Sequence, residues 1–579
     1  MSMPSTTESD CDLLVVGSGA GGMSAAVTAA HMGLKVIVVE KDSQFGGTTA
    51  WSGGVVWVPC NPVSQRAGVV DAISDARTYL LHERATLNLA AVDAYLNAAP
   101  EAIDFFERET EVKFTASLHG DRHPEHPGGL VSGRSLSPQP YDGNELGDWF
   151  DKLKPPPEET MLFGMQIGYG HEFVDFLNAT RSPAAAFRVA KYFMRYALAR
   201  LRHGRNTRLF NGNALIARLA KTAQKLGVEI RLRTPALELL QENGRVCGAR
   251  VLDDGRPIEI RSCKGVVIAT GGYPHDIHRV LKTHAHVKSG SRHFSRAPTT
   301  NTGDGIRMSE AAGAAFSGDL TSPTGLTPVS FVRKANGELS FQPHLFDRTK
   351  PGYIAVTPDG HRYCDESASY HDFVLSMIEH CDSPTGVRSF IICDHRAIRK
   401  HGMGAARQAP LPIGAHLRSG YLKSAKTLEG LAMQLGMEGN VLKATIERYN
   451  KNAVSGKDPD FHRGESAFTR TMGDPFHSPN PCVGPLEVAP FYAVEIFPGD
   501  IGTFAGLATD GNGRVLNESG IPVEGLYAAG NDMLSVMGGA YPAGGITIGP
   551  AMAFGYLVAK FAKAEHVRTD VASRSSPAD

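Results

Sequence analysis

Asp12-Leu-Leu-Val-Val-Gly17-Ser-Gly19-Ala-Gly-Gly22 runs an apolar strand directly into the pattern GxGxxG. A helical segment from 23 to 32 follows, then a second strand, Lys35-Val-Ile-Val-Val-Glu40, that ends on an acid. Strand, glycine turn, helix, strand and terminal carboxylate form the dinucleotide-binding βαβ unit. Gly17 makes the turn, Gly19 admits a pyrophosphate to the backbone, and Gly22 lets helix and strand pack closely. Glu40 is placed to accept a hydrogen bond from a ribose hydroxyl. The first forty residues therefore predict an open α/β sheet with a nucleotide at its carboxyl edge.

The chain has 579 residues, too many for one ordinary core, so more than one domain is expected. A formal net charge of −1 argues against whole-surface affinity for nucleic acid or membrane. The eight cysteines contain no CxxC pair, which predicts neither a thiolate metal site nor a disulfide framework and points to a reducing cytoplasm. The polar, acidic start lacks the features of a signal peptide, and no run of eighteen apolar residues occurs.

A second glycine loop, Gly46-Gly47-Thr48-Thr49-Ala-Trp-Ser52-Gly53-Gly54, follows the first unit. Further on come Gly265-Val-Val-Ile-Ala-Thr270-Gly271-Gly272 and Glu524-Gly-Leu-Tyr527-Ala-Ala-Gly530-Asn531. In this order the pieces resemble FAD enzymes of the fumarate reductase and 3-ketosteroid dehydrogenase group, along nearly the whole chain. The resemblance implies FAD, held by Gly17, Gly19, Ala20, Gly22, Glu40, Lys41, Gly46, Gly47, Thr48, Thr49, Ser52, Gly53, Ala236, Thr270, Gly271, Gly530, Asn531, Ile546 and Ile548. In succinate dehydrogenase flavoproteins a histidine of the second glycine loop carries the flavin covalently. Gly47 stands at the matching position here, so non-covalent FAD is expected.

The flavin motifs flank the middle of the chain. A Rossmann-like FAD-binding domain is expected from residues 1 to 298 and 488 to 579, with an inserted α+β catalytic domain from 299 to 487 covering the flavin. Glu242-Asn-Gly-Arg245 reads as a hairpin turn between strands at 227–233 and 245–252.

Between Asp175 and Glu229 no acidic residue occurs, while eleven lysines and arginines do. At 100° per residue, Arg188, Lys191, Arg195 and Arg202 form a basic stripe beside an apolar face of Phe187, Ala190, Met194, Leu198 and Leu201. This basic amphipathic segment, within 176–228, is read either as a surface helix packing its apolar face on the FAD domain or as a membrane-docking element over 184–206. Steering of an acidic substrate group is a further reading. Nucleic acid is not expected, since no binding module accompanies the charge.

Removing hydrogen from a carbon beside a carbonyl needs donors for the developing enolate, each worth roughly 3 kcal/mol, and a base for the α proton. Tyr541 sits in a glycine-rich loop, Gly539-Ala-Tyr541-Pro-Ala-Gly-Gly545-Ile-Thr-Ile-Gly549-Pro-Ala, suited to delivering such donors. Here the resemblance to 3-ketosteroid Δ1-dehydrogenases becomes specific. In that family a tyrosine and a backbone N–H four residues later hold the C3 carbonyl, matching Tyr541 and Gly545. The family base matches Tyr370, in Lys350-Pro-Gly-Tyr-Ile-Ala-Val-Thr-Pro-Asp-Gly-His-Arg-Tyr363-Cys-Asp-Glu366-Ser-Ala-Ser-Tyr370. A supporting family tyrosine is replaced by Arg122 in Gly120-Asp121-Arg122-His123-Pro124-Glu125, and Arg122 is expected to take over that support.

His119, His123 and His126 lie in a loop without helical ligand spacing, so no metal site is expected. Reduction of a fumarate-type alkene is disfavoured, because the family segment HGxNRxGG has no counterpart near Tyr541. The expected function is FAD-dependent 1,2-desaturation of a 3-ketosteroid, with a quinone or similar acceptor reoxidising the flavin, in the cytoplasm or at the inner membrane face. The alternatives are a Δ4-type dehydrogenase, another enone-forming dehydrogenase or ene-reductase, and a membrane-surface flavin electron carrier.

Overall fold

The computed structural model describes residues 11–574 apart from 85–87, 118–119, 162–163, 167–174, 177–178, 180–181, 334–336 and 338. Its first sheet orders the strands Arg514–Leu516, Pro522–Ala528, Arg256–Ile268, Cys11–Val16, Val36–Val39 and Glu229–Arg231. All neighbours are parallel except the first pair. Parallel strands are covered on both faces, which is why Leu13-Leu-Val-Val16 and Val36-Ile-Val-Val39 are apolar without alternation. The helices Ala20–His31 and Ile548–Arg574 pack against each other, and Gly555 makes this close, since a Cβ there would lie 2.7 Å from the Gly21 carbonyl oxygen.

The hairpin turn at 242–245 is present, but the strand entering it is Ala236–Glu242, paired antiparallel with Arg245–Asp253. Glu229–Arg231 instead extends the parallel sheet beside Val36–Val39. Arg233, at φ 55°, turns the chain at the end of the strand expected over 227–233, and Ala236–Glu242 is a further strand that sequence alone did not read.

A second sheet orders Leu339–Pro343, Thr324–Arg333, Phe491–Thr503, Ser389–Cys393 and Tyr353–Val356, with Phe294–Ser295 and Lys423–Ala425 also on Phe491–Thr503. Alternation is the rule here. Tyr353, Ala355, Ile391, Cys393, Tyr492 and Val494 enter one core, while Ile354, Val356, Phe390, Ile392, Phe491 and Ala493 enter the other. A period of two buries both faces, each large side chain contributing about 1.5–3 kcal/mol.

The α/β class with an inserted α+β unit is thus observed. Phe491–Thr503, numbered within the second flavin segment expected from the motifs, runs through the middle of the second sheet. Phe294–Ser295 joins the same strand from before residue 299, so the second sheet's strands span 294 to 503. Backbone pairing, not motif position, decides which layer a segment enters. Among the described residues no helix is long and apolar enough to cross a membrane.

Candidate active site and flavin cradle

Five glycine-bearing segments converge at the carboxyl edge of the parallel sheet, and they divide into two kinds. A Cβ on Gly17, at φ +107°, would lie 2.1 Å from the Ala269 oxygen, and one on Gly22 would lie 2.0 Å from the Gly17 oxygen. Both glycines are demanded by the protein's own packing. Gly19, Gly47, Gly53 and Gly530 differ: a Cβ there would meet nothing closer than 3.7, 3.6, 3.9 and 3.8 Å. They leave room for another molecule, a cradle that side chains would fill.

Around this cradle the polar groups are preset. Glu40 accepts from Ser18 N at 3.1 Å, Ser18 Oγ at 2.6 Å and Asp42 N at 2.9 Å. Ala20 N donates to Thr49 Oγ1 at 3.0 Å, Gly46 N to Ser18 Oγ at 2.9 Å, and Asn301 Nδ2 to Thr48 Oγ1 at 2.9 Å. Ser52 braces its own loop through the Thr49 carbonyl, and Lys41 pairs with Asp304. Ala236 begins its strand beside a groove also lined by Asp304, Arg307 and Met308. Asn531, Gly530, Ile546, Thr547 and Pro550 line one pocket, and Ile548 opens the final helix.

Asp532 escaped the sequence reading. Fully buried, it accepts from Thr270 Oγ1 at 2.8 Å, Gly271 N at 2.9 Å and Gly272 N at 3.3 Å. It clasps the ATGG turn to the late strand. Burial raises its pKa and these donors oppose the rise. Its signal was present, since it directly follows Gly530-Asn531, but no local spacing links it to Thr270.

Beyond the cradle, three distant segments bring the candidate catalytic side chains together. Ser369 caps the helix Tyr370–His380, its Oγ accepting from Asp372 N at 3.1 Å, so Tyr370 stands on the first turn. The preceding segment is held by Glu366, fully buried between Arg362 and Arg463 at 2.8 and 2.9 Å. The Tyr370 and Tyr541 hydroxyls meet at 2.5 Å, with their rings edge to face. Tyr541 is backed by His371 and Phe504. Burial, then the neighbouring Tyr370, holds the Tyr541 phenol well above its ordinary pKa, with Arg122 opposing. Tyr541 therefore keeps its O–H as a donor.

Gly545, at φ +100°, is obligatory: a Cβ would lie 2.6 Å from Trp57 N. Its carbonyl accepts from Trp57 N and Gly549 N, while its N–H meets no acceptor among the described residues. Arg122 is placed by backbone, its N–H donating to the Pro542 oxygen at 2.7 Å, and Tyr79 Oη donates to the same oxygen. The neighbouring Asp121 is fixed by Trp57, Leu130 and Arg134. The Arg122 guanidinium lies 4.5 Å over Phe468, 5.1 Å over Tyr370 and 5.9 Å over Tyr541. It is 7% exposed, its Nε has no partner, and it forms no ion pair among the described residues.

The loop histidines do something else. His123 and His126 Nδ1 bond Glu83 at 2.9 and 2.6 Å, and His123 Nε2 faces Asp372 at 3.5 Å. Burial would lower the His123 pKa, but Asp372 and Glu83 push it up to about 10. His119 lies outside the described residues.

A parallel sheet with this cradle at its carboxyl edge defines a dinucleotide-binding protein. The FAD binding domain family model matches residues 12–548. A 3-oxosteroid 1-dehydrogenase of Mycobacterium tuberculosis is 37% identical over 575 residues, covering 96% of this chain and 98% of its own. The 4-oxocyclohex-2-ene-1-carboxylate 5-dehydrogenase of Sinomonas cyclohexanicum is 38% identical over 553 residues, 94% of this chain and 92% of its own. The crystal structure of 3-ketosteroid delta1-dehydrogenase from Sterolibacterium denitrificans, in complex with 1,4-androstadiene-3,17-dione, matches with a TM-score of 0.86 at 34% identity, over 96% of this chain and 100% of that one. This chain belongs to the FAD-binding family to which these dehydrogenases belong. It is an FAD-dependent oxidoreductase acting on CH–CH groups.

Proposed function

We propose that the protein desaturates the 1,2 bond of a 3-ketosteroid. The observation that carries this reading is the meeting of Tyr370 and Tyr541 beside the unengaged Gly545 N–H and the unpaired Arg122. Tyr541 O–H and Gly545 N–H donate to the C3 carbonyl and acidify its α carbon. Tyr370 takes the α proton. Arg122, dry and uncompensated, sets a positive charge beside the negative charge that passes through this group, where low dielectric strengthens it. Non-covalently held FAD supplies the acceptor for the β hydride. Anaerobic mixing with a panel of 3-ketosteroids tests the reading: the flavin is expected to bleach with a 1,2-saturated member. No bleaching by any of them removes the assignment and returns the electron-carrier alternative.

A carboxylated cyclic ketone is a second substrate class, favoured by the absence of an anionic partner for Arg122. The same panel extended to 4-oxocyclohexanecarboxylate separates the two.

We also propose that the helix Pro183–His203 docks on an anionic bilayer and places the protein beside a quinone acceptor. Supporting this, Ala185 and Val189 face inward, while Phe187, Met194, Leu198 and Leu201 are exposed at 73%, 65%, 62% and 86%. The apolar stripe thus points outward and is not packed on the flavin domain. Lys191, Arg195 and Arg202 border it, a pattern suited to headgroups above and acyl chains below. Equal sedimentation with neutral and anionic vesicles would count against this docking.

A further inference from the structure

Three histidines and one aspartate meet at the root of the second sheet. His284 and His286 flank the start of the short helix Ala285–Lys288, His293 precedes Phe294–Ser295, and Asp500 lies on the partner strand. His284, His286 and Asp500 are buried, His284 at 2% and Asp500 at 0% exposure, and His293 is half-buried with its side chain covered. The His293 ring centre lies 4.7 Å from that of His284 and 5.1 Å from that of His286.

Hydrogen bonds assign the tautomers. The Thr283 hydroxyl donates to the Arg279 oxygen at 2.9 Å, so it accepts from His284 Nδ1 at 3.0 Å. His284 Nε2 therefore carries a lone pair, and it is buried with no partner. On the other side His293 Nε2 donates to Asp500 Oδ2 at 2.7 Å, and His293 Nδ1 accepts from His286 Nε2 at 3.1 Å. The second Asp500 oxygen accepts from Ser295 Oγ and Gly502 N. A buried acceptor facing no donor is costly, and it points to a bound Lewis acid.

We propose that His284, His293 and Asp500 bind one divalent transition-metal ion of the zinc class. Their donor atoms lie within 4.8 Å of one another. The ion takes the place of the His293 Nε2 proton between that nitrogen and Asp500 Oδ2, and gains His284 Nε2 as a third ligand. That proton moves to His293 Nδ1, which then donates to His286 Nε2 as His286 turns to its Nδ1–H tautomer, so two metal–nitrogen bonds and one metal–oxygen bond form with no net proton release and no electron transferred. Thr283 and His286 hold the opposite ring nitrogens, as outer partners of metal-bound imidazoles do. The cluster of Glu83, His123 and His126 carries no such proposal: Asp372 and Glu83 hold His123 as a cation, and neither histidine has an unpartnered buried nitrogen. The ion would join the connecting segment 283–295 to the strand that continues through Thr503 and Phe504 into the flavin cavity, giving it a structural role.

The test uses the full-length holoenzyme, stripped by a chelator and titrated with zinc chloride in two buffers of different ionisation enthalpy. Wild type is expected to bind one Zn²⁺ per chain with no net proton release and to melt at a higher temperature. His284→Ala and the better-packing His284→Gln should each weaken Zn²⁺ binding about 100-fold. His126→Ala should leave it unchanged. Absence of saturable binding to folded wild type, wild-type affinity in both His284 variants, or loss of binding in His126→Ala overturns the proposal.

Discussion

The catalytic tyrosine group and the basic helix are both rich in cations and aromatic or apolar side chains, yet they are built in opposite ways. Arg122, Tyr370, Phe468 and Tyr541 come from four distant segments; Arg122, Phe468 and Tyr541 are buried and Tyr370 is half-buried against them. The helix Pro183–His203 assembles its stripe within 21 residues and turns it outward. In the first, one unpaired charge at low dielectric acts strongly on its neighbours. In the second, screening makes each charge weak, and effect comes through number. Destabilisation, kinetics and salt dependence should separate the two.

The largest effect is expected from Tyr370→Phe. Losing the base should lower kcat by about 10³-fold with bound FAD unchanged; near-normal turnover would remove Tyr370 from that role. Arg122→Met should cost about 10²-fold in kcat while the melting temperature holds or rises, because an uncompensated buried charge is removed. If melting temperature and FAD content fall together with kcat, Arg122 is structural and the contrast with the helix is lost.

A smaller, pH-dependent effect is expected at the loop that carries Arg122. His123 has its pKa raised from 6.5 to about 10 by Asp372 and Glu83 in the fold. A raised histidine contributes its full stability below pH 6.5 and loses it as pH climbs through about 10. Melting temperature should therefore decline across that interval, and His123→Gln should flatten the decline. An unchanged slope in the variant would show that this ion-pair group does not hold the loop to the helix of Tyr370.

The smallest effect on catalysis should come from reversing Lys191, Arg195 and Arg202 to glutamate. Turnover of a soluble substrate should stay within about twofold, while association with anionic vesicles, itself weakened by salt, disappears. Persistent vesicle binding would assign the attachment to another surface.

The flavin cradle was legible because its information is local. Gly17, Gly19 and Gly22 follow one strand at fixed spacing, and Glu40 ends the next, so periodicity and turn chemistry suffice. The pairing of Tyr370 with Tyr541 was legible through family resemblance alone; the two lie 171 positions apart. Phe468 and His371 gave no usable signal, because an aromatic ring on a helix has many ordinary uses, and Asp532, although it follows Gly530-Asn531, has no local spacing that links it to Thr270. The helix at 183–203 was readable as amphipathic, but the direction of its apolar stripe was not, since a helical wheel carries no information about what lies beside it.

By itself, then, the sequence determined the FAD-binding sheet, its glycine cradle and the chemical kind of side chain available for catalysis. These rest on backbone rules that act over a few residues. Tertiary structure alone decided that Arg122 is left without a counterion against two tyrosines, and that Asp500 meets histidines roughly two hundred positions earlier. It also decided that Phe491–Thr503 belongs to the second sheet. Burial and pairing across such separations depend on how whole layers pack, and no local pattern encodes them.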